Sequence, residues 1–154
     1  MKKEEIVSVL EKLFLEKEKN LTKTLEETRD SACGAPGSNI SHSDTSKFQL
    51  SELALSLEKQ TREANEALVS IRNTPVCQSS AVQVGSLVEL EEKSSSKRTL
   101  YFVIPKGGGE TVQVGDSSVT TITAAAPLAR ACVGKKENEE VSINGRTYII
   151  RNLE

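Results

Sequence analysis

Three cysteines and one histidine are the residues of this sequence best suited to metal binding or nucleophilic chemistry. Cys33, Cys77 and Cys132 are widely spaced without a C-x-x-C pair, and His42 is the only histidine. A structural zinc site needs four such ligands at short spacings, and a disulfide framework needs paired cysteines. We therefore predict reduced thiols of minor structural importance, an exposed histidine with no catalytic role, and no metal or other cofactor.

One carboxylate and one run of glycines are the remaining candidates. Asp44 offers the oxygen ligands that a hard cation such as Mg²⁺ prefers, but an acid at this place also suits a helix N-cap or first turn. Lys106 to Glu110 encloses three glycines, which would let backbone N–H groups approach a phosphate. The segment lacks the G-x-x-x-x-G-K-[ST] order, so a connection between two strands is the better interpretation.

Two long helical segments precede these glycines and must position Asp44. From Glu4 to about Arg29 there is no Gly or Pro, and apolar residues recur at helical spacing. A second helix is predicted from Ser46, where Gln49 completes a capping box. The apolar stripe of this helix, which should form the seam with the first helix, repeats every seven residues. One heptad position holds Leu50, Leu57, Ala64 and Ile71, and near the other are Leu53, Thr61 and Leu68. The Gly- and Pro-containing link between the helices predicts an antiparallel hairpin, which is a coiled coil, over residues 1 to 75.

The second half changes to β-strand periodicity. Strand patterns cover residues 86 to 91, 99 to 104 and 111 to 115, and two more flank the Asn144-Gly145 turn. Pro127 begins one short helix. The sequence therefore predicts an α+β chain, in which the hairpin is followed by a domain at residues 81 to 154 with an antiparallel sheet and one helix.

Composition limits the classes of function. The chain has 154 residues, 27% of them charged and 3% aromatic, and its formal net charge is -2. This charge argues against strong nonspecific attraction to nucleic acid, and the few aromatic residues give little material for an enzyme pocket. The charged start of the chain and the lack of a long apolar run predict a cytoplasmic protein with no membrane partner.

Four motifs in the second half occur in a characteristic order. They are the Gly85-Ser86 step, the segment from Pro127 to Lys136, the turn from Asn138 to Val141, and the hairpin at Asn144-Gly145. Together they resemble the C-terminal domain of the Gre transcription elongation factors, whose motif reads Ser-Pro-Leu-Gly-x-Ala-Leu-x-Gly-Lys at the second of these places. Members of that family have an antiparallel helical hairpin before an FKBP-like domain, so the resemblance extends to the order of the two domains along the whole chain.

The resemblance implies a partner, RNA polymerase. In such factors the C-terminal domain docks at the rim of the secondary channel while the hairpin inserts toward the active centre. It therefore implies a docking role for Arg130, Lys135 and Lys136, and a position for Asp44 at the hairpin tip. Cleavage-competent members carry two tip carboxylates, thought to help hold a second Mg²⁺, but Lys47 stands at the second place here. An ammonium group opposes cation binding, so efficient transcript cleavage is not expected.

The sequence thus favours a noncatalytic factor that binds RNA polymerase and modulates elongation, meets nucleic acid only within the transcription complex, and takes no small-molecule substrate. Two alternatives stay open at this stage. One is an FKBP-like peptidyl-prolyl isomerase, although Tyr101, Phe102 and Tyr148 are the only aromatic residues of the second half. The other is a coiled-coil interaction module with a partner unrelated to transcription.

Overall fold

The computed structural model describes residues 3 to 34, 46 to 75 and 79 to 154. Two long helices come first, α1 (Lys3–Gly34) and α2 (Ser46–Arg72). Six strands and one short helix follow: β1 (Leu87–Glu92), β2 (Arg98–Ile104), β3 (Thr111–Val114), β4 (Ser117–Thr123), α3 (Pro127–Cys132), β5 (Glu140–Ile143) and β6 (Arg146–Leu153). The predicted α+β class, with a helical hairpin before a sheet and one short helix, is confirmed.

The chain divides into two compact units, and the division falls within the two long helices. One unit is Leu13–Asn65, and the other combines Met1–Lys12 with Glu66–Glu154. The second unit therefore holds the beginning of α1, the end of α2 and the whole sheet. The sequence-based domain limits, 1 to 75 and 81 to 154, stay a prediction.

Within Leu13–Asn65 the two helices pack through a small apolar seam. Leu25, Ala54 and Leu57 form a buried cluster, with Leu21 packed against it. Arg29 donates to Glu58 across the seam at 3.1 Å. The predicted seam residue Leu57 is confirmed, but the prediction for Leu53 is wrong, because Leu53 is 49% exposed and its neighbour Ala54 is buried instead.

Within the other unit the helix ends are also antiparallel and well buried. Ile6, Leu10 and Ile71 are completely shielded from solvent, and Arg72 pairs with Glu11 at 3.7 Å. These residues continue the periodicity read from the sequence. Among the described helices, none has the length and apolar character needed to cross a membrane.

The sheet has the strand order β3-β4-β2-β1-β6-β5. Four of its strand pairs are antiparallel, but β2 and β4 are parallel, with Leu100 opposite Val119 and Ile104 opposite Thr123. The sheet is therefore mixed, and not antiparallel throughout as the sequence suggested. The parallel pair arises because the β3–β4 hairpin folds back so that β4 lies next to β2.

Helix α3 packs on one face of this sheet. Ala129 and Cys132 belong to its buried core, together with Val88, Leu90 and Val103 from the central strands. Burial of apolar side chains from both layers stabilises the packing by roughly 25 cal/mol per Å² of surface removed from water. The core therefore fixes the residues of α3 that face outward, which include Arg130.

Candidate docking surface

The motif segment beginning at Pro127 forms one continuous structural element. Pro127 occupies the first turn of α3, where its missing N–H costs no hydrogen bond. The Arg130 N–H donates to the Ala126 carbonyl at 2.9 Å, and the Val133 N–H donates to the Ala129 carbonyl at 2.8 Å. These bonds complete the helix, although Ala126 provides no side-chain cap.

The turn after α3 is joined to the segment that leads into β1. The Gly134 N–H donates to the Val82 carbonyl at 2.9 Å, and the Val82 N–H donates to the Lys135 carbonyl at 2.8 Å. This reciprocal pair fixes the turn that carries Lys135 and Lys136. The turn is therefore held beside the segment that leads into the Gly85-Ser86 motif.

Gly85 has a steric reason to be glycine. Its φ angle is +87°, and a Cβ atom added there would lie 2.1 Å from the carbonyl oxygen of Pro75. No other residue avoids both the strained backbone and the collision. The following Ser86 is fully buried and its hydroxyl accepts from the Gln83 N–H at 3.1 Å. The Gly-Ser step seen in the sequence thus forms the tight turn that precedes β1.

An open groove of about 600 Å³ lies beside α3. Its lining is largely apolar, and Val133 on its border is 48% exposed. Among the described residues that line it, the exposed Arg130 is the one with a charge; these residues are Pro75, Gln83, Val84, Ala124, Arg130 and Val133. Sequence reasoning identified Arg130 but not its apolar neighbours, since Val84, Ala124 and Val133 come from three segments that only the fold brings together.

Lys135 and Lys136 lie on the turn beyond the groove and do not line it. The Lys135 ammonium is 3.9 Å from the Glu139 carboxylate, which also accepts the Lys136 N–H at 2.6 Å. Glu139 therefore offsets part of the positive charge of this turn. Asn138 has a φ of +66°, a left-handed conformation that asparagine tolerates better than most residues do.

The predicted hairpin tip lies mostly outside the described residues. This applies to Asp44 and His42, for which the structure gives no geometry. Lys47 is described, and it is an exposed residue in the first turn of α2. The predicted start of this helix at Ser46 is confirmed.

The surroundings of the described cysteines and of Gly108 favour structural roles over chemical ones. Cys132 is buried on α3, and burial raises the pKa of its thiol to about 11, whereas Cys33 is exposed. Within the described segments, no group of three His, Cys, Asp or Glu side chains could hold a metal ion. Gly108 lies in the β2–β3 connection, where an added Cβ would be 2.6 Å from the backbone nitrogen of Thr123. That close approach favours the interpretation of this segment as a strand connection.

Comparison with known proteins finds similar solved structures, three of which are described below. No family model matches the chain, and no curated protein matches it. The GreA factor homolog 1 (Gfh1) of Thermus thermophilus is 15% identical with a TM-score of 0.38, covering 94% of this chain and 94% of its own. Another structure of the transcription factor Gfh1 is 15% identical with a TM-score of 0.39, covering 93% and 92%. Gfh1 of Thermus aquaticus is 17% identical with a TM-score of 0.36, covering 88% and 92%. These similarities assign no role to any residue of this chain.

Proposed function

We propose that this chain is a Gre-like transcription factor that binds RNA polymerase at its secondary channel and modulates elongation without efficient transcript cleavage. The observation that carries the proposal is the segment from Pro127 to Lys136. Its Gre-like sequence forms α3 and the following turn, and that turn is hydrogen-bonded to Val82, three residues before the Gly85-Ser86 motif. Two of the motifs that produced the resemblance are therefore close in space. The proposal includes a cytoplasmic location, where transcription takes place in bacteria.

The groove beside α3 is the surface that we assign to polymerase docking. An apolar depression bordered by one arginine suits a partner surface that offers an apolar side chain next to a carboxylate. Arg130 would pair with that carboxylate, and Val133 would cover the apolar group. Lys135 and Lys136 would add longer-range attraction, reduced by the neighbouring Glu139.

Binding measurements with purified RNA polymerase test this assignment. Arg130→Gln removes one positive charge, and Gln113→Glu changes the net charge by the same amount at an exposed position of β3. We expect Arg130→Gln to weaken binding about fivefold and Gln113→Glu to leave it nearly unchanged, because one exposed ion pair contributes about 1 kcal/mol. Equal effects of both substitutions would contradict docking through the groove.

The predicted lack of cleavage rests on the composition of the tip. Attraction for a second Mg²⁺ depends on oxygen ligands and negative charge, and Asp44 with Lys47 supplies little of either. We would measure cleavage in stalled elongation complexes with the native chain, Lys47→Glu and Asp44→Ala at constant Mg²⁺ and salt. Weak native cleavage that rises with Lys47→Glu supports the assignment. Strong native cleavage undiminished by Asp44→Ala would show that the tip is placed wrongly.

Prolyl isomerase activity is not part of the proposal. Tyr101 and Tyr148 border a small cavity that also contains Glu92, Lys97 and Arg146. Phe102 is fully buried, so these two tyrosines are the only aromatic side chains of the second half that can line a pocket, fewer than an aromatic-lined proline site requires. We expect no acceleration of proline isomerisation in a peptide assay, and measurable isomerase activity would contradict this expectation.

A further inference from the structure

A narrow slot on the sheet contains both tyrosines of the chain. Leu90 on β1 lies at its base and is itself only 2% exposed, and the slot is bordered by Tyr101 on β2 and Tyr148 on β6. Leu90 is directly opposite Thr99 on β2, and Glu92 is directly opposite Tyr148 on β6. Residues that are paired across strands, or are two apart along one strand, project from the same face of a sheet, so Leu90, Tyr101 and Tyr148 share a face and the tyrosines lie diagonally to either side of Leu90.

Charged side chains are found at one end of this tyrosine slot. They are Lys97, Arg146 and Glu92, which give the slot a formal charge of about +1. Glu92 is held in place by the Ser95 hydroxyl at 2.5 Å, which together with nearby cations keeps the pKa of its carboxyl below the ordinary value. Arg146 is 3.6 Å from Glu92 and its side chain is 67% exposed. The Glu92 side chain is only 17% exposed, but the Arg146 guanidinium faces solvent and stays accessible to another anion.

We propose that the tyrosine slot binds a single nucleotide unit, with the base against the rings of Tyr101 and Tyr148 and the phosphate at Arg146 and Lys97. Aromatic side chains beside cations are the usual combination for unpaired nucleotides, because every base has a stacking face and every phosphate needs positive charge. This site is distinct from the groove beside α3 and does not depend on the proposed polymerase binding.

The size of the slot limits its occupant. Its volume is about 180 Å³, below the roughly 300 Å³ at which pockets for drug-sized ligands begin. One base therefore fills the slot, while the ribose and phosphate stay at its charged, open end. A net charge of -2 for the whole chain is compatible with this mode, because the contact is local and does not require a broad basic surface.

Either a free nucleoside monophosphate or one residue of single-stranded RNA could supply this chemistry. We would titrate the full chain with adenosine 5′-monophosphate, adenosine, inorganic phosphate and a five-residue oligoadenylate, and follow the amides of β1, β2 and β6 by NMR. The proposal expects saturable shifts around Leu90 and Tyr148 with the monophosphate, and binding at least several-fold weaker for adenosine and for phosphate. An oligonucleotide that binds more tightly than the monophosphate identifies RNA as the source, and equal affinities identify the free nucleotide.

Two substitutions and one matched control separate the slot from general charge. Arg146→Gln should weaken monophosphate binding about fivefold, and Tyr148→Leu should weaken it about tenfold while keeping an apolar wall. Arg62→Gln removes the same charge from an exposed position of α2 and should change binding less than twofold. The proposal is overturned if no saturable shift occurs at millimolar monophosphate, if phosphate alone binds as tightly, or if Arg62→Gln matches Arg146→Gln.

Discussion

Replacement of Leu57 by aspartate gives the sharpest test of the helical hairpin. Leu57 is only 8% exposed and belongs to the seam cluster with Leu25 and Ala54. Truncation of a buried leucine costs about 2 to 5 kcal/mol, and the lower end applies here because the cluster is small. A carboxylate near the seam adds a desolvation cost of about 1 kcal/mol, since it can turn toward water. We therefore expect Leu57→Asp to destabilise Leu13–Asn65 by about 3 kcal/mol.

Leu55 provides a matched control on the same helix. It is 61% exposed, so Leu55→Asp makes the same chemical change and has the same cost in helix propensity, but removes little buried surface. Its effect should stay within about 0.5 kcal/mol. The difference between the two variants therefore isolates burial in the seam.

Native-state hydrogen exchange resolves where the stability is lost. With Leu57→Asp, amides within Leu13–Asn65 should exchange roughly 100-fold faster, as about 3 kcal/mol of local opening free energy requires. Amides of β1, β2 and β6 should change far less, because they belong to the other compact unit. Equal loss of protection in both units, or equal effects of the two variants, would refute this account of the seam.

Two further predictions concern titratable groups of the sheet and α3. Glu91 accepts from both Arg151 and Arg98, which keeps the pKa of its carboxyl below the ordinary value. The stabilising contribution of Glu91 should be present above the ordinary pKa and be lost as the pH falls through the lower, folded value. In chemical denaturation, Glu91→Gln should therefore be less stable than the native chain at neutral pH and should lose less stability in acid. Cys132, with a pKa of about 11, should be alkylated at least about 100-fold more slowly than Cys33 at pH 8. Peptide mass spectrometry can measure both rates, and equal rates would contradict the burial of Cys132.

Local periodicity predicted the elements of the fold better than their pairing. The helix start at Ser46 and the turn at Asn144-Gly145 are determined by neighbouring residues, and both are confirmed, whereas the capping box stays a prediction. The heptad pattern wrongly placed Leu53 in the seam, because the pattern favours a large apolar residue even where the smaller Ala54 is buried. Ala54 takes the buried position and belongs to the seam cluster with Leu25 and Leu57.

Strand β4 shows why pairing between distant segments could not be predicted. It reads as a run of Ser and Thr with two aliphatic residues, which gives little apolar alternation. Thr121 is nevertheless fully buried, because its hydroxyl donates to the Glu110 carbonyl and accepts from the Glu110 N–H, each at 3.0 Å. That hydrogen bonding lets a polar side chain occupy the core. The same limit applies to the groove and the tyrosine slot, whose residues are far apart in the sequence.

The stability of α1 within Leu13–Asn65 has a consequence for the proposed function. Four hydroxyl groups in this stretch donate to the carbonyl four residues earlier, a bond that slightly weakens and bends helices; they belong to Thr22, Thr24, Thr28 and Ser31. The small seam and the exposed Arg29–Glu58 pair offset this only modestly. We therefore expect this unit to open locally before the sheet unfolds. If the chain acts as proposed, seam substitutions such as Leu57→Asp should alter its effect on elongation while polymerase docking through Arg130, in the other unit, persists.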